Sequence, residues 1–411
     1  NNWADEGTVH VTQGTFWSYG GTDYSHWERV NLICDAGTTI RSAKQNSVNG
    51  YIYVKSIQTA GTLSTGHWFY VKDYIFDGVN PLSNGALGNF DGKNDGTVNA
   101  NSSKVTVKCS GQLQIGDGNT CYTGGLDVQS GSVKAIAKHC FGRGGMITLA
   151  PGTWLDINGQ NGGYTAPATI IGDGNGNGAI QDTSSAAPAF GNAYPVNSLT
   201  LAGDASIGCA NNLVFINASY GAITWNLDKF TLTKKGAGRL YAGNTTVNGT
   251  GSLVIKEGAF AALGTVTVNT PIVFKPGSNL DLSIPYASKG ATFAFKDVTL
   301  ETGAVMTGSS SGATLKLMGT FKGASYFPCG TLELAAGTML KLAHENDCIS
   351  SAGNVNISGA ATLDGDVVAD GGVGTGSTEP YYAAAGGTVA ITAATISGSG
   401  VISANGGNVL Q

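Results

Sequence analysis

One phrase recurs along this chain and limits what it can fold into. An apolar residue, any residue and a second apolar residue lead into a turn of Gly, Asn or Asp, and the alternation then resumes. It is read in Met146–Ile157, Leu199–Ile207, Val298–Val305, Leu332–Leu340, Val355–Leu363 and Val389–Ile396. A period of two puts both apolar side chains on one face of a short strand. Gly, Asn and Asp between the strands tolerate the left-handed backbone that sharp corners need. The starts at Val298, Leu332, Val355 and Val389 are 34, 23 and 34 residues apart, the range of one or two turns of a coil.

Composition agrees with that phrase. Of 411 residues, 63 are glycine, about twice the usual share. Only 12% are charged, about half the usual fraction. Hydrophobic residues make up 41%, enough to build a core. Collagen is excluded because glycine is not every third residue and there are only 10 prolines. Ordinary disorder and coiled coils demand more charge or more Ala, Glu, Lys and Leu. A β-sandwich also gives short strands, but one of 411 residues exceeds the size at which single cores stop growing. A parallel β-solenoid has no such limit, since each coil contacts only its neighbours. With about 20–25 residues per coil and ~4.8 Å between stacked strands, about 17–20 coils would form a rod of roughly 80–95 Å. No window sustains a helical period.

The segment Phe230-Thr-Leu-Thr-Lys-Lys-Gly-Ala-Gly-Arg-Leu-Tyr-Ala-Gly243 resembles the passenger-associated repeat of bacterial autotransporter proteins. Thr245-Thr-Val-Asn-Gly-Thr-Gly-Ser-Leu-Val-Ile-Lys-Glu-Gly258 resembles its continuation, and Leu199–Gly208 the strand that often precedes it. The resemblance implies a right-handed β-helix exported to a bacterial surface, and it implies no enzymatic activity. Within the motif, Leu232, Leu240, Val247, Leu253 and Ile255 are expected to point inward and Gly236 and Gly238 to form the turn. Lys234, Lys235, Arg239 and Lys256 are expected to stay in water. A full autotransporter ends in a membrane β-barrel, whereas here the passenger-like pattern runs on to Val401-Ile-Ser403.

Five regions follow. Residues 1–80 form an aromatic-rich N-terminal cap or assembly region, and 81–157 early coils. Residues 158–196 form a Gly/Asn/Ala-rich insertion, 197–345 the solenoid with the passenger-associated repeat, and 346–411 low-charge C-terminal coils. Residues 1–80 hold 13 of the 35 aromatic residues, among them Trp3, Trp17, Trp27 and Trp68. These four tryptophans are read as contacts for assembly or for glycans, with capping or core packing as the plainer alternative. The near-uncharged end at Asn408-Val-Leu-Gln411 reads as an open strand edge. A cap at one end and a bare edge at the other predict head-to-tail self-association.

Site chemistry is sparse. Among seven cysteines, Cys109 and Cys121 lie 12 residues apart and Cys329 and Cys348 lie 19 apart. Both pairs are candidate structural disulfides, with buried thiols as the alternative. Asp73, Asp77, Asp91 and Asp95 sit in Asp-Gly-type turns, and no catalytic residue is assigned. Asp173-Gly-Asn-Gly-Asn-Gly178 resembles the start of a calcium loop, but its twelfth position is Ser184, so it reads as a plain turn. The five histidines have no metal spacing, and no metal or cofactor is expected. Five Asn-x-Ser/Thr sequons are no more than chance supplies.

The net charge of −5 is spread thinly, and no basic run exceeds Lys234-Lys235, so neither nucleic acid nor membrane insertion is expected. A chain starting at Asn1 with few charges reads as a mature secreted protein. The expectation is a non-enzymatic bacterial surface protein, structural or adhesive, with its own copies and glycans as partners. A carbohydrate-active β-helix enzyme or glycan-binding module is the alternative.

Overall fold

The computed structural model describes residues 6–19, 28–43, 52–64, 68–90, 98–117, 120–160, 166–185, 196–210, 212–216, 222–283, 291–307, 313–322, 331–334, 339–341, 353–356, 360–363, 366–368, 389–392 and 395–403. All regular structure among these residues is β-strand, and the strands pair in parallel. Parallel pairing of strands this short, one coil above the next, is compatible with a β-solenoid. The chain divides into two compact units, Asn1–Ser219 and Tyr220–Gln411.

In the first unit one inward column runs through nine strands. Val9, Leu32, Ile57, Tyr74, Val105, Leu126, Ile147, Ala168 and Leu199 are register partners in succession. From Val105 to Ala168 the step is 21 residues each time. Elsewhere it ranges from 17 to 31 residues while the parallel register is kept. From Leu32 to Leu199 the column is buried.

The second unit carries three such columns. Ile223, Thr245, Val266, Phe293, Leu315, Leu332, Ala361 and Ile396 form the first. Trp225, Val247, Val268, Phe295, Leu317, Leu334 and Leu363 lie beside it on the same strands. Leu232, Leu253, Ile272, Val298, Phe321, Leu340, Val367 and Ile402 form the third. A shorter sheet of Arg239–Gly243, Gly258–Ala262, Ser278–Asp281 and Val305–Thr307 stacks Leu240, Phe260, Leu280 and Met306. Apart from Thr245, the columns are aliphatic or aromatic ladders, so burial is won by repetition along the stack rather than by one globular centre.

Three expectations are corrected here. Residues 158–196 are not a plain insertion. Pro167–Gly172 and Ile180–Asp182 stack in register on the strands Ile147–Leu149 and Trp154–Asp156. Ala168, Ile170 and Ile180 keep the inward alternation amid the Gly and Asn. In residues 1–80, Phe69, Tyr74 and Phe76 are fully buried core of stacked coils.

The second correction is Lys234, which is 0% exposed. It alternates with Leu232 and so faces inward. Its Nζ donates to the carbonyls of Lys235 (3.3 Å), Gly236 and Glu257 (2.7 Å). An ammonium has three N–H donors, and this corner offers three carbonyls. Gly236 makes that corner with φ +79°. The five motif residues expected inward, Leu232, Leu240, Val247, Leu253 and Ile255, are all buried.

The third correction concerns Cys109 and Cys121, which are buried thiols not joined to each other. The Cys109 Sγ faces the carbonyls of Gly111 (3.4 Å) and Ser130 (4.0 Å). The Cys121 backbone N–H instead donates to Leu87. Burial pushes the Cys121 thiol up to about 12. Cys329 and Cys348 lie outside the described residues.

Candidate functional site

The outward faces of the coils carry what chemistry the chain displays. Of the four tryptophans, Trp3 and Trp27 lie outside the described residues. Trp17 and Trp68 belong to different strands, Thr15–Tyr19 and Trp68–Phe76. Trp68 is half-buried and lies parallel to Tyr70, with ring centroids 6.0 Å apart. Tyr70 in turn meets Tyr53 on the preceding coil at 4.6 Å. A Cβ at Gly88 would come within 2.9 Å of the Tyr70 ring and 3.2 Å of Trp68. That absent side chain is what lets the two rings lie against the coil below. Trp68 is therefore part of an outer aromatic stack.

Trp17 is different. It is 44% exposed, and the Arg41 guanidinium lies 4.5 Å over its ring. The two are register partners on adjacent coils.

Of the four candidate carboxylates, Asp73 and Asp77 lie among the described residues. Asp73 is exposed, and Asp77 accepts a hydrogen bond from Gln58 Nε2 (2.6 Å). Asp91 and Asp95 lie outside the described residues. In the calcium-like turn, the Asp173 carboxylate is bonded to Ser206, and Asn175 Oδ1 accepts from the Asn177 N–H (3.2 Å). Among the described residues, no three His, Cys, Asp or Glu side chains group as a metal site.

Three buried carboxylates, Asp156, Asp182 and Asp281, were not anticipated from the sequence. Asp156 and Asp182 are 2% and 4% exposed. Both cap the backbone at a corner. Asp156 Oδ1 accepts from the N–H groups of Asn158 (3.0 Å) and Thr183 (3.2 Å). Asp182 Oδ1 accepts from Gly159 and Ser184, each at 2.9 Å. Lys134 stands 3.6 Å from Asp156. The Asp-x-Asn spacing at 156–158 was the available signal, since Asp side chains bond the backbone two residues on.

Burial, with the Asp156 charge as a further cause, raises the Asp182 pKa above the ordinary carboxylate range. The native state therefore holds this proton more tightly than the unfolded chain. Stability from this group falls as pH rises from the ordinary Asp range through the raised folded value. Asp182→Asn keeps the Oδ1 acceptor and removes the buried charge. It is expected to raise the melting temperature at neutral pH, with the gain shrinking as pH drops below the ordinary Asp range. A melting temperature below that of wild type at pH 7 would show that the charge itself holds the corner.

A second ion pair spans two coils. Arg239 Nε meets the buried Asp281 Oδ2 at 2.8 Å. Tyr241, Ala261 and Asp281 are register partners, and Ala261 is small enough to let the pair approach across it. Burial raises the Tyr241 pKa, against a smaller opposing effect of Arg239. Arg239 is half-exposed, as the sequence suggests, but its head is engaged.

Among the described residues, these groups cap, brace and cover. No family model, no curated protein and no solved structure matches this chain.

Proposed function

We propose that this chain is a secreted bacterial surface protein with a structural role, and not an enzyme. In this reading it is a right-handed β-solenoid rod that joins copies of itself head to tail, in a filament or layer, or serves as an adhesin. The handedness and the surface location rest on the likeness of residues 230–258 to the autotransporter passenger repeat.

One observation carries the self-association. The inward columns are buried through most of their length and then become exposed. Ile396 and Ile402, at 53% and 51% exposure, continue the columns of Leu332 and Leu340, and Val401 beside them is 61% exposed. Val9, Val11 and Phe16, in the coil Gly7–Tyr19, are only half-buried. Each is a coil face with an apolar centre and a parallel strand edge. Such a face is completed by another coil of the same geometry, and this chain supplies one. A heterologous contact of that kind propagates when it does not close.

Sedimentation velocity over a range of concentrations tests it. Wild-type protein is expected to shift to faster species as concentration rises, and the double variant Ile396→Asp with Ile402→Asp to stay at one slow species. Identical, concentration-independent profiles for both would remove the proposal.

A further inference from the structure

The first coils present an outward face of a different character. Thr15, Thr39 and Thr62 are successive register partners, and Trp17, Arg41 and Ser64 are successive partners in the adjacent column. The inward partners on the same strands, Ile40 and Leu63, are fully buried. Parity therefore fixes these six side chains on the outer face. The columns lie roughly 6.6 Å apart along the strands, and three coils rise about 10 Å. That is the scale of a disaccharide.

The face is cationic and hydroxyl-rich. Arg41 is exposed, its contact is the Trp17 ring, and among the described residues no carboxylate pairs with it. Two acidic groups of these coils are engaged elsewhere, Asp35 with His10 (2.8 Å) and Glu6 with Lys55 (3.4 Å). A guanidinium that meets only a ring face keeps N–H donors for a planar anion. The indole offers an apolar ring face beside it. The threonine hydroxyls and Ser64 add donors and acceptors at fixed intervals.

We propose that this face binds an acidic saccharide. Arg41 takes the sugar carboxylate, Trp17 packs against the sugar ring, and the Thr15–Thr39–Thr62 column meets the hydroxyls. A carboxylate-bearing polysaccharide satisfies all three features, whereas a neutral glycan leaves Arg41 unused and an acidic peptide leaves the hydroxyl column unused. The inference goes beyond self-association and does not depend on it.

The test is calorimetric titration of the full chain with an oligogalacturonate. Its methyl ester serves as the neutral probe and polyglutamate as the acidic one. Wild type is expected to bind the oligogalacturonate, with the ester and polyglutamate each weaker by about tenfold or more. Arg41→Gln and Trp17→Leu should each weaken binding by about tenfold or more, with Arg41→Lys between Arg41→Gln and wild type. Lys108→Gln, on a distant exposed position, should leave it unchanged. Melting temperatures and sedimentation of these variants should match wild type, which separates this inference from the self-association proposal. Should either variant fold poorly, Thr39→Val reads the same face and should also weaken binding. No binding of oligogalacturonate, equal binding of polyglutamate, or full retention of affinity in well-folded Arg41→Gln would overturn the proposal.

Discussion

Lys234→Met is expected to destabilise the second unit by about 3 kcal/mol. The Met stem fills the space of the lysine stem, so the change isolates the ammonium. Without it the carbonyls of Lys235, Gly236 and Glu257 lose a charged donor. A buried acceptor left without its partner costs about 1–3 kcal/mol. Desolvation of the ammonium in the wild type offsets part of the sum, which is why the expected loss is not larger. Lys234→Arg should also destabilise, because a planar fork cannot reach three carbonyls arranged around a point charge. Urea unfolding followed by circular dichroism reads both. A midpoint for Lys234→Met equal to that of wild type would mean the ammonium contributes nothing net.

Gly258→Ala should cost about as much, some 3 kcal/mol, through a different physical cause. Gly258 has φ +64°, and a Cβ there would sit 2.4 Å from the Gly238 carbonyl oxygen and 2.6 Å from those of Ala237 and Gly236. Left-handed backbone costs an L-residue about 1–2 kcal/mol. The clash adds the cost of moving backbone rather than a pliable side chain. Since these carbonyls border the Lys234 corner, the two substitutions should be non-additive in a double-mutant cycle. Gly277→Ala is the control. Its φ of +81° carries the same backbone penalty, but nothing lies within 4 Å of its Cβ position. It should therefore lose only the backbone part. Equal losses at both glycines would refute the clash.

These corners show how far the sequence could be read. Parity of apolar residues was enough to place Leu232, Leu240, Val247, Leu253 and Ile255 in the core. The same parity assigned Lys234 inward, but charge was given precedence over position. In a solenoid the corner carbonyls have no strand partner, so an inward lysine can be satisfied there. The segment 158–196 was obscured by its glycines and asparagines, although Ala168, Ile170 and Ile180 preserve the alternation.

The outer face was harder to read. Trp17 was singled out by its type, but Arg41 was not, because their pairing depends on register. Successive coils differ in length, so which residues stack cannot be counted from a fixed repeat. Cys109 and Cys121 illustrate the opposite error. Proximity in sequence suggested a bond, whereas both residues are buried free thiols.

The proposed self-association joins stacks of parallel coils end to end. Electron cryomicroscopy of the concentrated, purified chain tests it most directly. Filaments are expected, with strands lying across the axis and an axial spacing of about 4.8 Å continuing through the junctions. Isolated, separate particles at the same concentration would contradict it.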